Sequence, residues 1–461
     1  MFGKVKTGLA RMQSVFASTM VEQGVRRGWP VVVVIGWRMA MQPSLKTKAR
    51  KFGRKKLIIL SKSAGVEDIE AAFKEKKSHY AVLFLPRSII KQSGWFYLGG
   101  RVSDDTYHSN DSVLESDKQK YRAHLSCVLA WFKRLFGLSA IVQFNVAYWA
   151  ERELAAACIS QGVRFVAAHK ECNWSPALLE SREIYYRDSV RRFGGDAVSV
   201  YNLMTKRIFE RAGLIDEGNV EVVGCPRLDE SHRARLHVSL PTKKTVLYYL
   251  IDAKAGLRGF RCKDTGVYPR GAILPDGSVA DWSDMISKVN DTVLEISAER
   301  PDIQFICKGK TGFSEEQRSA LLAASGTDKL PENIKLICDG VGHKLLEIAT
   351  VVIGFNTTAV LEAMAAGVPV IIPNIFSESE RKIAGFAHDL NDGAMVPTTK
   401  KELKSMVLDA VASPKRYKHL THGQKAPLDR LLGNSDGKSG ARMRAFLDKA
   451  VNGELGPHQM I

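Results

Sequence analysis

Apolar residues in this chain fall into two patterns, short β-branched runs and stretches with apolar positions three and four apart, and from about Tyr148 onward the two alternate. That alternation predicts parallel strands covered by helices. Residues 149–160 have helical spacing, 163–168 and 196–201 read as strands, and 202–211 reads as a helix that Gly213 stops. The strand at 220–223 ends in the turn 224–229, which Pro226 keeps from continuing as sheet. A basic, polar stretch at 231–244 with Pro241 reads as a linker. The pattern then restarts, with strands at 245–251, 303–307, 334–338, 350–353 and 368–372 and helices at 284–298, 314–324, 343–348 and 357–366.

In the first 140 residues, the runs 31–35, 56–60 and 81–85 read as buried parallel strands and 96–120 as a long loop. The expected architecture is α/β, two Rossmann-like doubly wound domains facing a cleft. The first domain is expected at 1–237, the second at 238–430, and a tail at 431–461 that returns to the first domain. Ligands of open α/β sheets bind at the carboxyl ends of the strands, so the loops there are the ones that carry function.

Length supports two domains, because 461 residues exceed the roughly 250 to 300 that one hydrophobic core supports. No apolar run reaches the roughly 18 residues of a membrane span. Arg11, Gln13, Glu22 and Gln23 interrupt residues 7–25, so no signal-peptide core follows Lys4 and Lys6. A cytoplasmic protein is the expectation. Seven cysteines lie far apart with no C-x-x-C pair, which argues against a zinc site or a disulfide framework; no metal and no cofactor is expected.

The net charge of +18 changes the picture of partners. It is dense at 46–56, a segment that attracts polyanions. No zinc finger, RNP-type aromatic motif or helix-turn-helix accompanies it, so no nucleic acid is expected, and an anionic membrane surface or a phosphorylated substrate is preferred.

The most informative stretch is 351–373. A buried strand ends at Gly354, Asn356 stands where an N-cap belongs, Thr357 and Thr358 fall in the first turn, and Gly367 terminates the helix. Unpaired N–H groups, a positive dipole end and two hydroxyls suit a diphosphate. Glu362, four residues beyond Thr358, lies on the same helical face and is placed to accept hydrogen bonds from a ribose.

The pattern Gly-Phe-Asn-Thr-Thr-Ala-x-Leu-Glu-Ala-x-Ala-x-Gly-x-Pro-Val-Ile at 354–371 resembles the donor-site motif of GT-B glycosyltransferases and of their relative, UDP-N-acetylglucosamine 2-epimerase. Residues 168–172 (Ala-His-Lys-Glu-Cys) and 222–229 (Val-Val-Gly-Cys-Pro-Arg-Leu-Asp) resemble segments of bacterial surface carbohydrate (capsule and lipopolysaccharide) biosynthesis proteins, and the resemblance covers about 145–375. It implies a GT-B fold with a nucleotide-sugar donor on the C-terminal domain and a saccharide or lipid-linked acceptor on the N-terminal one. It marks Asn356, Thr357 and Thr358 as phosphate contacts and Glu362 as the ribose partner. The epimerase has a Gly-Asn-Thr turn where this chain has Gly224-Cys-Pro-Arg227, and its acidic catalytic set is not found. The CDP-glycerol glycerophosphotransferases show His-Pro where this chain has Lys308-Gly-Lys310, two lysines able to hold a donor phosphate as point charges.

An inverting transfer needs a base on the acceptor side. His169 and Glu171, at the end of the strand 163–168, are the candidates, with Lys170 beside them to attract an anionic acceptor and Asp104 and Asp105 as rival bases. Arg227 either fixes its turn or contacts phosphate. The functional expectation is a glycosyltransferase of surface polysaccharide synthesis, peripheral at the inner face of the membrane. A nucleotide-sugar epimerase, a CDP-glycerol-type phosphotransferase and a non-catalytic nucleotide-sugar-binding protein are the alternatives.

Overall fold

The structure is a computed structural model. It describes residues 2–43, 56–61, 65–73, 80–104, 106–108, 111–237, 239–257, 272–273, 277–309, 314–326, 329–338, 342–390 and 393–456. Most of the basic run at 46–56, together with Asp105, Cys262 and Lys310, lies outside the described residues.

The chain divides into two compact units. One comprises Met1–Cys172, Ser181–Arg227 and Lys438–Ile461, the other Asn173–Glu180 and Leu228–Gly437. The division at 227/228 falls ten residues before the expected 237/238, because the basic segment read as linker begins as a helix, Leu228–His237, whose Leu228, Asp229, Ser231 and His232 are buried. The His232 ring bonds Asn434 O at 3.0 Å, and the Arg235 guanidinium reaches Lys418 O and Ala365 O, both at 3.1 Å. Polarity at 231–237 therefore reports tertiary hydrogen bonding, and the exposed connection is confined to the stretch before Thr245.

The first unit opens with helices α1 (Phe2–Arg26) and α2 (Pro30–Ala40), then strands β1 (Gln42–Pro43) and β2 (Lys56–Leu60), helix α3 (Val66–Phe73) and strand β3 (Tyr80–Phe84). Helices α4 (Arg87–Leu98) and α5 (Asp111–Phe136) follow, then β4 (Leu138–Gln143), β5 (Arg164–Ala168), β6 (Ala197–Val200) and β7 (Val220–Val222). The sheet order is β1-β3-β2-β4-β5-β6-β7, all parallel except β1. Among the parallel strands this is the flavodoxin-like doubly wound order, with its switch point between β2 and β4.

Two expectations for this unit are corrected. The run 31–35 is inside α2, not a strand: Pro30 starts the helix, and Val33, Val34, Gly36, Trp37 and Ala40 are buried. A methyl carbon added at Gly36 would lie 2.7 Å from Val21 Cγ2, so α1 and α2 pack through this glycine. A short apolar run fits a buried strand and a buried helix equally well, and the partner decides. The loop expected at 96–120 is confined to the stretch between α4 and α5; residues 111–120 form the first turns of the 26-residue α5.

The helix Ser439–Asn452 packs in this unit. Its Met443, Phe446, Leu447 and Ala450 join Ile58, Ile69, Val82, Val142 and Val166 in one core. The Tyr80 hydroxyl donates to Asp448 Oδ1 at 2.5 Å, and Arg442 Nε donates to Val223 O at 3.0 Å.

The second unit contains β8 (Thr245–Tyr249), a small antiparallel pair β9 (Ala272–Ile273) and β10 (Val279–Ala280), then β11 (Gln304–Lys308), β12 (Ile334–Ile337), β13 (Val351–Ile353) and β14 (Val370–Ile371). The main sheet has the order β12-β11-β8-β13-β14 and is wholly parallel. All five residues of β8 and all three of β13 are buried, as a strand covered on both faces requires. This is a Rossmann-like doubly wound sheet whose switch point lies between β8 and β13.

Candidate functional site

In the second unit the switch point sets the carboxyl end of β8 beside that of β13, and the segment singled out in the sequence follows β13. Gly354 allows a close turn, because a Cβ there would stand 2.6 Å from Val360 Cγ1. Asn356 has φ +45°, in the left-handed region that asparagine enters more readily than most residues. Its side-chain amide is fully used. Nδ2 donates to Ala255 O and Phe386 O, both at 2.9 Å, and Oδ1 accepts from the backbone N–H of His388 at 2.9 Å. The expected N-cap at Asn356 is therefore corrected. The cap is Thr357, whose hydroxyl accepts from Ala359 N at 3.3 Å, and the helix runs Thr358–Ala365. Asn356 clamps two neighbouring loops, which leaves its amide no bond for a phosphate.

Thr357, Thr358 and Glu362 are half-buried at the start of this helix. Beside them stands Tyr249, the last residue of β8, which sequence reading did not single out. Tyr249 is 9% exposed, and its hydroxyl is buried without a hydrogen-bond partner among the described residues. Burial, and then the Glu362 carboxylate, push this phenol well above its ordinary range. A Cβ at Gly342 would lie 3.4 Å from the same hydroxyl, so the glycine leaves room in front of it. No sequence signal pointed to Tyr249, because its relevance depends on β8 lying next to β13, about a hundred residues later in the chain.

Lys308 ends β11, and its ammonium donates to Gly309 O at 2.9 Å and Cys338 O at 3.0 Å. Those bonds tie it to the adjacent loop and leave one of its three protons. A cavity of about 1100 Å³ opens beyond β8, lined by Asp252, Lys254, Ser287, Asn290 and Gln317 among others. Tyr249, Thr357, Thr358 and Glu362 are not among its lining residues, so it is distinct from the turn after β13.

In the first unit, the residues after β5 do not serve as expected. His169 is 1% exposed. Its Nδ1 accepts from Val146 N at 3.4 Å, so the proton sits on Nε2, which faces Glu171 O at 3.1 Å. The Tyr186 hydroxyl lies 3.4 Å from Nε2, and the ring packs edge-on against Tyr186 and Phe209. Burial pushes this imidazole down to about 4. A buried, neutral ring with both nitrogens engaged has no lone pair to offer a substrate, and His169 is corrected from base to structural hydrogen-bonder. Glu171 is exposed, with its carboxylate oriented by Asn145 Nδ2 at 2.8 Å. Lys170 is half-buried beside it.

Arg227 is committed to its own unit. Its Nη1 lies 3.3 Å from Asp68 Oδ2 and 3.1 Å from the Tyr201 hydroxyl, its backbone N–H donates to Asp68 Oδ1 at 3.2 Å, and Tyr201 in turn donates to Asp68 at 2.5 Å. Of the two roles weighed for it, fixing the turn is the one these bonds describe. Asp104 accepts from Trp149 N at 2.8 Å and lies 3.8 Å from Arg87, which anchors the loop before α5. At the switch point of this sheet, Ser61 Oγ and Gln143 Oε1 are buried without partners among the described residues, a pair no sequence motif announced. Among the described residues no group of three or more His, Cys, Asp or Glu is arranged to hold a metal ion, and no helix is long and apolar enough to cross a membrane.

No family model matches the chain, and no curated protein matches it. Among solved structures it is similar to the UDP-GlcNAc 2-epimerase of Neisseria meningitidis bound to UDP-GlcNAc, at 10% identity and TM-score 0.48, over 86% of this chain and all of that one. It is similar to the UDP-GlcNAc 2-epimerase of Methanocaldococcus jannaschii at 13% identity and TM-score 0.48, over 86% and 99% of the two chains. It is also similar to the wall teichoic acid polymerase TagF, at 10% identity and TM-score 0.44, over 96% and 98%.

Proposed function

We propose that this chain is a GT-B-type glycosyltransferase that moves a sugar from a nucleotide-activated donor to a saccharide or lipid-linked acceptor in surface polysaccharide synthesis, at the cytoplasmic face of the membrane. The donor is assigned to the second unit and the acceptor to the first. The observation that carries the reading is the Tyr249 hydroxyl, buried and unpartnered at the β8/β13 switch point with Glu362 close enough to perturb it. Leaving a buried hydroxyl unpaired costs about 1–3 kcal/mol, a cost that a ligand removes when it supplies the missing bond. A ribose fits: its hydroxyls donate to the Glu362 carboxylate and accept from Tyr249. The diphosphate then rests on the first turn, met by Thr357, Thr358 and the helix dipole. Lys308 supplies positive charge at the neighbouring strand end.

On the acceptor side, Glu171 takes the role of base, with Asn145 orienting its carboxylate and Lys170 attracting an anionic acceptor. Ser61 and Gln143 offer unpaired oxygens to acceptor hydroxyls.

The test is calorimetry of the chain with UDP, CDP, CMP and GDP compounds, followed by turnover assays on the nucleotide sugar that binds. The reading requires sugar transfer that depends on an acceptor and is lost in Glu362→Ala. Conversion of the nucleotide sugar without acceptor points to an epimerase instead, transfer of glycerol phosphate to a phosphotransferase, and binding without turnover to a sensor or scaffold.

A further inference from the structure

The two tyrosines that end β8 point to opposite faces of the second sheet, as neighbours on a strand do. Tyr249 stands near Gly342 and Glu362, on the face of the donor turn. The Tyr248 hydroxyl donates instead to Asn290 Oδ1 at 2.9 Å, on the helix Ser283–Glu299 that covers the other face. That helix packs against the helix Ser314–Ser325, and the cavity of about 1100 Å³ lies along their seam. A second hollow of about 540 Å³ continues it, sharing Asp291 and Ala324. From Ser283 to Ala298 the seam is about 22 Å long, at a helical rise of about 1.5 Å per residue. Small side chains hold it open, Ser287 on one helix and Ala320, Ala323 and Ala324 on the other.

Asn290 is 2% exposed and yet lines this cavity. With its oxygen taken by Tyr248, what it turns to the cavity is the amide nitrogen, which donates to no described residue. A buried donor left idle is a cost that a ligand's acceptor removes. Three carboxylates stand along the same wall, each with one oxygen engaged. Asp252 accepts from Lys254 N and Asp281 from Ser283 N, both at 2.9 Å, and Asp291 accepts from Lys400 Nζ at 3.2 Å. Against them, Lys254 is the one cation among the described residues that line the larger cavity. Such a wall repels a phosphate. Hydroxyl groups match it, because they donate to carboxylates and accept from an amide, while Ile251, Ile286, Leu294 and Pro331 offer apolar surface to the C–H faces of sugar rings. We infer that this seam is a second ligand site, which takes an uncharged saccharide chain on the face of the second sheet opposite the donor turn. The inference shares with the proposed function only the chemistry of its polymer, and it is tested without nucleotide.

The full chain is titrated by calorimetry with glucose, galactose and N-acetylglucosamine, with a neutral hexasaccharide of each, and with hexalysine as a cationic peptide. At least one hexasaccharide is expected to bind, more tightly than its monosaccharide because the seam contacts several rings, and equally well when UDP or pyrophosphate is present. Asn290→Asp keeps an acceptor for Tyr248 and removes the donor, so affinity should fall about fivefold or more. Ala320→Trp fills the seam from an exposed helix position and should abolish binding while the unfolding midpoint stays unchanged. Failure of all three hexasaccharides to bind overturns the inference. So does binding that both variants keep, saccharide displaced by UDP or pyrophosphate, or hexalysine bound in place of the saccharides. Nucleotide calorimetry on the wild type separates the two readings: saccharide binding by a chain that takes no nucleotide sinks the donor site alone, and the reverse sinks only this seam.

Discussion

The side-chain oxygen of Asn356 accepts the backbone N–H of His388 at 2.9 Å, while the same amide's nitrogen holds the carbonyls of Ala255 and Phe386. One residue in a left-handed conformation thus fastens three segments at the edge of the second sheet. Asn356→Ala removes all three bonds and keeps the backbone strain, so a loss of about 2–4 kcal/mol is expected in urea unfolding. Asn356→Gly relieves the strain and should cost about 1 kcal/mol less than the alanine. Equal stability of wild type and Asn356→Ala would show that the clamp does not form.

Tyr249→Phe separates ligand binding from folding. The hydroxyl has no partner among the described residues, so its removal should leave stability unchanged or raise it by about 1 kcal/mol, while nucleotide affinity falls about fivefold or more. Inorganic pyrophosphate, which has no ribose, should bind as before. A nucleotide affinity unmoved in calorimetry would remove Tyr249 from the site.

Thr358→Val replaces a hydroxyl by a methyl in the first turn and should cost about 1.5–3 kcal/mol in binding of both nucleotide and pyrophosphate, with little change in stability. Glu362→Gln should weaken nucleotide alone. If both variants bind nucleotide like wild type, the turn is a structural helix start and the donor assignment fails.

His169 ties acid stability to the first sheet. Its folded value is near 4 against an ordinary 6.5, so the unfolded chain binds the proton more readily. Its contribution is intact above pH 6.5 and is lost as pH falls from 6.5 toward 4, up to about 3 kcal/mol. His124 and His388, also pushed down to about 4 by burial, act in the same window. Urea unfolding between pH 7 and 4 should show a shallower loss in His169→Gln than in wild type. An unchanged slope would mean that His169 is not the buried neutral group described.

Asp68 and Arg227 form the pair that holds the turn after β7. Asp68 is 2% exposed and takes bonds from Tyr201, from the Arg227 backbone and from its guanidinium. Asp68→Ala should cost about 3–5 kcal/mol, because it strands a partly buried cation and a buried phenol. In a double-mutant cycle with Arg227→Ala, a coupling of about 1 kcal/mol or more is expected. A coupling near zero would reopen the reading in which Arg227 contacts phosphate.

The parts legible in the sequence were those that local physics specifies. Strands such as 351–353 read as apolar runs because both faces of a parallel sheet are covered, and the helix after Gly354 announced itself through threonines at its start and Gly367 at its end. Everything that depended on which segments become neighbours stayed hidden. The run 31–35 is helical because α1 offers it a face, and the same apolar residues would have filled a strand. Asn356 looks like a cap until Ala255, Phe386 and His388 claim its amide, and His169 looks like a base until Val146 and the carbonyl of Glu171 occupy its nitrogens. Tyr249 acquires meaning only from the strand order, which puts β8 beside β13 rather than beside a neighbour in sequence. Periodicity and caps are properties of ten or so consecutive residues and are written in them. Hydrogen-bond partners and strand order are set by packing over the whole unit, where the contact that satisfies a side chain can come from a hundred residues away.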